Sequence, residues 1–170
     1  LNNVGMFKTI VLGDYRASYG QGLVFGNAVG SGKSSLVTSV NTRSTGLKKY
    51  SSTNEFSFFR GAGATIKLKN AEVSAFFSGR KLDAEVSDGI VSSITKTGIH
   101  RTENDLQKER KTGQSTIGFN AEYIHSDFRT GISFAHTNLE HSLQPNRELY
   151  NQFYFRGKTQ TATSVYYKTR

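Results

Sequence analysis

The chain has 170 residues, enough for one domain, and only 35% of them are hydrophobic, against the roughly 45–50% (Gly included) of soluble globular domains. Aromatic residues reach 12%, Gly is abundant at 17, Pro is single, Cys and Trp are absent, and the net charge is +9. These values exclude a disordered chain, which lacks aromatics. They also exclude disulfides and thiolate metal sites, and a transmembrane helix, which needs about 18 consecutive apolar residues.

Such a composition suits strands with one wet face and one greasy face. A transmembrane β-barrel has that character, and its alternating strands escape a search for long apolar runs. The N-terminal Leu1-Asn2-Asn3-Val4 is not the charged region and apolar core of a signal peptide. A barrel needs such a leader, so the expectation is a processed chain or an internal piece of something longer.

The first predicted strand covers about residues 9–25. Val11, Tyr15, Ala17 and Tyr19 share one face, and Asp14, Arg16, Ser18, Gly20 and Gly22 the other. Gln21 breaks the alternation, which suggests a bulge near a rim. A long loop, about 26–55, follows. It contains Gly30-Ser31-Gly32-Lys33-Ser34-Ser35, which looks like a phosphate-binding loop. That motif needs a Gly, then four residues, then Gly-Lys-Ser/Thr; Asn27 stands where the first Gly should, with Gly26 one place too early. The stretch after it is rich in Ser, Thr and Val, a poor helix, so a flexible Gly/Ser loop is the preferred reading.

A hairpin comes next. Ala62, Ala64, Ile66 and Leu68 alternate with Gly61, Gly63, Thr65, Lys67 and Lys69; then Ala71, Val73, Ala75 and Phe77 alternate with Glu72, Ser74, Phe76 and Ser78. Folded antiparallel across a tight turn at 69–70, the apolar sets share one face and the charges the other. A second long loop, about 79–114, includes a charged stretch at 103–111 with no apolar stripe, read as solvated with room for one helical turn. A second hairpin follows the same rule. Ile117, Phe119, Ala121 and Tyr123 lead into a short turn at 125–127, and Phe128, Thr130, Ile132 and Phe134 lead out. Tyr123 and Phe128 flank the turn at the level where outer-membrane barrels carry aromatic girdles. A mid-length loop, about 141–149, precedes a last strand within 150–168.

The fold expectation is therefore all-β: an antiparallel up-and-down meander of about six long strands in a single partial domain, 1–170. Long connections alternate with short ones, as in outer-membrane barrels with long extracellular loops and short periplasmic turns. Six strands are fewer than the eight of the smallest closed barrels, so a segment of a larger barrel is expected, an open curved sheet if isolated. Asp14, Arg16, Arg60, Lys67, Lys69, Glu72, Glu122 and Arg129 are the expected lumen-facing charges. A solvated or plugged interior held by ion pairs is preferred over a basic conduit. No catalytic, cofactor or metal site is expected. No Gly-x-Ser-x-Gly elbow occurs, His125 and Asp127 sit in a short turn, and His100, His125, His136 and His141 have no metal-ligand spacing.

Several blocks resemble a Bacteroidota outer-membrane barrel family, the helix-hairpin-helix domain-containing proteins. These blocks are Gly13-Asp14-Tyr15-Arg16, Tyr19-Gly20-Gln21-Gly22-Leu23-Val24, Phe59-Arg60-Gly61-Ala62, Thr97-Gly98-Ile99-His100-Arg101-Thr102-Glu103 and Tyr150-Asn151-Gln152-Phe153-Tyr154-Phe155. The resemblance implies an internal barrel segment whose DNA-associated helix-hairpin-helix repeats lie upstream, so DNA binding does not transfer to these residues. The leading functional expectation is a non-catalytic outer-membrane barrel segment with a structural or conduit role, in contact with lipid and lipopolysaccharide. The alternatives are a channel handling a polyanion, DNA or polysaccharide, and a soluble β-sandwich binding module.

Overall fold

The computed structural model describes residues 2–26, 44–52, 56–95 and 102–169. Most of the first expected long loop, including Gly30 to Ser35, lies outside them, as do His100 and most of the block around it. The elements in chain order are β1 (Asn2–Val4), β2 (Phe7–Ser18), β3 (Gly46–Lys49), β4 (Phe59–Lys67), β5 (Ala71–Leu82), β6 (Ala84–Ser87), β7 (Ile90–Ile94), the short helix α1 (Glu103–Gln107), β8 (Thr112–Ile124), β9 (Phe128–Leu143) and β10 (Gly157–Thr169). All ten strands join one sheet, strongly curled and open, a half-barrel.

Long strands form the wall. β2 pairs with β4, β4 with β5, β5 with β8, β8 with β9 and β9 with β10, each antiparallel. The all-β expectation holds, but a pure up-and-down meander does not describe the sheet, which is mixed. β9 outruns β8, whose register ends at Gln114 opposite Leu139. β7 takes the vacant place and pairs in parallel at Ile90–Ser142 and Val91–Leu143.

The expected loop at 79–114 is thus largely built structure. β5 runs on to Leu82 opposite Thr112, and β6 and β7 form a hairpin. In α1, Thr102 caps the Asp105 amide while the Asp105 carboxylate accepts from the Thr102 amide, a reciprocal arrangement that satisfies two otherwise orphaned donors. Leu82, Ala84, Val91, Thr112 and Leu139 are buried at this end of the sheet. The short connections are tight: Leu68 donates to the Ala71 carbonyl across the first, and His125 to that of Phe128 across the second.

The first strand is shorter than its pattern suggests. β2 stops at Ser18, and the chain turns inward. Gly20 and Gly22 adopt φ of 55° and 83°, a region that glycine enters without steric cost. The turn closes with Gly22 donating to the Tyr19 carbonyl and Tyr19 donating to that of Phe25, both at 3.0 Å. The break in alternation at Gln21 therefore marks the end of the strand, where a bulge was expected.

This inward segment completes the core. Val11, Tyr15, Ala17, Tyr19, Phe25, Leu47 and Phe76 form one buried cluster on the concave side. Phe25 meets Phe76 edge-on at 5.1 Å, and Phe59 lies 5.1 Å from Phe76. Tyr15 donates to the Phe77 carbonyl at 2.8 Å. Small residues make room for the rings. A Cβ placed on Gly118 would overlap the Phe76 ring, and one on Gly131 or Gly20 would overlap Tyr166.

Gly118→Ala is accordingly expected to destabilise the folded chain by about 1–3 kcal/mol, as overpacking does, read as a lower urea midpoint in detergent. Phe76→Leu in the same background should recover part of that loss. Strictly additive losses would show that the ring is not the obstacle.

Candidate functional site

Cross-strand partners point to the same side of a sheet, so the registers define the two faces row by row. On the convex face one row is Ile66, Val73, Ala121, Ile132 and Val165. The next is Ile10, Ala64, Ala75, Phe119 and Phe134, followed by Leu12, Ala62, Phe77 and Ile117, a row that His136 continues on β9. The apolar side chains are exposed or half-buried: Leu12 is 78% accessible, Val165 72%, Ile117 55% and Phe77 52%, while Ile10, Ala64, Ile66, Val73 and Ala121 are half-buried. Nearest the short turns, Phe128 contacts Tyr123 and Tyr167 at ring distances of 6.1 and 6.0 Å. From Tyr123 to Ile117 the apolar band covers about 20 Å along the strand. It ends abruptly. The next row holds Asp14, Arg60, Gly79, Ser115 and Asn138, and the one beyond it Lys81, Gly113 and Glu140.

The concave face is buried, with polar rows beside the aromatic cluster around Phe76. Thr65, Ser74, Asn120 and Ser133 stand in one row and are all buried. Thr65 and Ser74 share a hydrogen bond of 2.8 Å. Asn120 Oδ1 accepts from Ser133 at 2.8 Å and from the Tyr166 hydroxyl at 3.1 Å. One row up, Phe76 sits between Gly63 and Gly118. Above that, Thr116 and Thr137 pair at 3.0 Å. Tyr19 reaches down beside the Thr65 and Ser74 hydroxyls.

The expected lumen charges divide into groups. Lys67, Glu72, Glu122 and Arg129 stand on the concave face near the short turns. Glu72 and Glu122 are direct cross-strand neighbours, a repulsive arrangement by itself. Lys8 offsets it with an ion pair to Glu72 at 2.6 Å, and Glu122 lies within electrostatic reach of Arg129, Lys8 and Lys168. Lys69 sits in the adjoining turn.

Asp14 and Arg60 lie elsewhere. They pair with each other at 2.7 and 3.1 Å, and their register puts them on the convex face, in line with Leu12 and Ala62. Arg16 lines a hollow at the loop end together with Phe25, Tyr50, Phe58 and Arg80.

Two features escape a reading of alternation. Lys8 follows no simple parity, because the β2–β4 register shifts between Phe7 and Thr9; a bulge of this kind re-aims one side chain. Arg80 donates to Gln114 and to the Phe56 carbonyl, and its guanidinium lies 5.0 and 5.4 Å from the Phe56 and Phe58 rings. Only its place on the polar face of β5, two residues beyond Ser78, hinted at this role.

The histidines are scattered. His125 stacks on Phe128, His136 bonds Thr161 and His141 bonds Thr112. Among the described residues no three His, Asp or Glu side chains gather where they could hold a metal.

Asn120 is the hub of the buried polar row. Asn120→Leu strands the Ser133 and Tyr166 hydroxyls, an expected loss of about 1–3 kcal/mol. The thermal midpoint should fall well below that of Ser115→Ala, which alters the same strand on its other face. Comparison with protein family models, with characterised proteins and with solved structures finds no match to this chain.

Proposed function

We propose that this chain forms part of the wall of a bacterial outer-membrane β-barrel, with its convex face against lipid and its concave face turned to a filled interior. The observation that carries the reading is the inversion of the sheet. Apolar rows are exposed on the convex side, while hydroxyls and amides are buried on the concave side. A sheet folded for water hides its apolar face; a transmembrane barrel turns it outward, alternating with a polar interior. The Tyr123, Phe128 and Tyr167 cluster suits one interfacial girdle, and the strands of 12–16 residues at β2, β5, β8, β9 and β10 exceed the 9–11 or so that a tilted span requires.

In this proposal the role is structural. The Tyr19–Phe25 turn, Phe59, Phe76 and Tyr166 occupy the concavity, which disfavours an open conduit. A basic track for a polyanion is also disfavoured, because Lys8, Lys67, Arg129 and Lys168 are interspersed with Glu72 and Glu122. A sandwich module would need a second sheet over the convex face, and every described strand belongs to the one sheet. We assign the chain no reaction and no nucleic-acid role. Among the described residues β10 pairs on one side only, and lipid does not tolerate an unpaired strand edge. The reading therefore requires further strands beside it. It agrees with the resemblance to the barrel segments of the Bacteroidota helix-hairpin-helix domain-containing proteins, and we propose that the chain belongs among them.

Depth-dependent arginine substitution tests the reading. Ile132→Arg, in the middle of the apolar band, should reduce folding of the complete barrel into vesicles by about 2–4 kcal/mol, measured by heat-modifiable gel mobility. Asn138→Arg, on the same face of the same strand but past the boundary, should cost under about 1 kcal/mol. Equal tolerance of both would rule out a lipid-facing band.

A further inference from the structure

We infer that the convex face carries a binding site for the phosphorylated head group of an anionic glycolipid, set where the apolar band ends on the loop side. This inference rests on the membrane reading above and adds a ligand class and residues to it.

The site is a trough of about 650 Å³. Its floor is made where β5 and β8 carry Gly79 and Gly113 in the two rows above Phe77 and Ile117. A Cβ at Gly79 would meet only the edge of the Phe77 ring, at 3.6 Å, so the space above that ring is open. Cations stand about the floor: Arg60, Lys81 and Arg110 line the trough, against the single carboxylate of Glu140, while the Arg80 guanidinium is engaged by Gln114 and Phe56.

The carboxylates nearby are already engaged. Glu140 accepts from the Gly113 amide at 2.8 Å. Asp14 takes Nε and Nη2 of Arg60, leaving Nη1 of that guanidinium turned from the pair. Arg110 reaches Glu109 only at 3.8 Å and is largely exposed. Lys81 has no ion-pair partner among the described residues. The trough thus offers unneutralised donors to an anion.

Position selects the kind of anion. Immediately below the trough lies the exposed row of Leu12, Ala62, Phe77 and Ile117. A soluble phosphate would use the cations alone. A lipid bearing phosphate on a sugar head group would use both surfaces, with its acyl chains on the apolar rows and its phosphate among Arg60, Lys81 and Arg110. Each cationic side chain at a membrane surface adds to the attraction for anionic lipid, and guanidinium forks suit phosphate oxygens.

The test uses the complete barrel that the membrane reading requires, these strands together with those beside β10, folded into phosphatidylcholine vesicles, with heat-modifiable mobility as the readout of insertion. Vesicles containing bisphosphorylated lipid A are compared with vesicles containing the same lipid after dephosphorylation, and binding is measured by fluorescence titration. The expected result is a preference of about tenfold or more for the phosphorylated lipid, weakened by salt and lost in Lys81→Glu/Arg110→Glu. Lys158→Glu, on β10, should retain it. Millimolar inorganic phosphate should leave the preference in place; its abolition would identify a free-anion site and overturn the lipid assignment. Insertion with an unchanged preference in the double variant would overturn the site and leave the membrane reading intact. Failure of every form of the complete barrel to insert into neutral vesicles would sink the membrane reading and this inference with it.

Discussion

The structure depends on burying the polar rows of one sheet face. Thr65, Ser74, Asn120 and Ser133 are nearly inaccessible, and a buried hydroxyl or amide without a partner costs free energy that packing does not return. Two devices meet this requirement. The side chains bond across neighbouring strands, with Asn120 accepting from two donors at once. The Tyr19–Phe25 turn then covers them, bringing aromatic surface against Phe59 and Phe76. Curl and lid are mutually dependent, since a flat sheet would leave the turn nothing to enclose.

The convex face follows the opposite rule, and its interest lies in its limits. Aromatic rings bound it at the short turns, and charged or small polar residues bound it at the loops, with little gradation between. The change falls at one level across β2, β4, β5 and β8 and one row earlier on β9, at His136 opposite Ile117; a water-soluble sheet has no reason for so sharp a border. The Asp14–Arg60 ion pair sits at that level. Being exposed, it adds little stability by itself, and it is better understood as part of a border than as part of a lumen.

Much of the wall was legible in alternation alone. The faces of β4, β5, β8 and β9 follow from period two, and their turns from the short gaps between apolar runs. What failed did so for identifiable reasons. Asp14 and Arg60 share parity with Leu12 and Ala62, so their outward placement was readable, but the general rule that charges face inward overrode it. Lys8 depends on a register shift, which strand parity does not reveal. The β6–β7 hairpin was hidden by its short strands, of four and five residues, and by a pairing partner fifty residues further along the chain. Tyr19 and Phe25 continued an apolar pattern past Ser18 while the backbone had already reversed at Gly20 and Gly22.

The contact of Gly20 with Tyr166 joins the turn after β2 to β10, far along the chain. It closes a long loop. Hairpins such as β4–β5 and β8–β9 need only local pairing and can form early, but the interior cannot settle until β2 and β10 have met. Topologies governed by such distant contacts fold slowly. The final curvature should therefore lag behind strand formation, with the Tyr19–Phe25 turn docking last and acting as the latch on assembly.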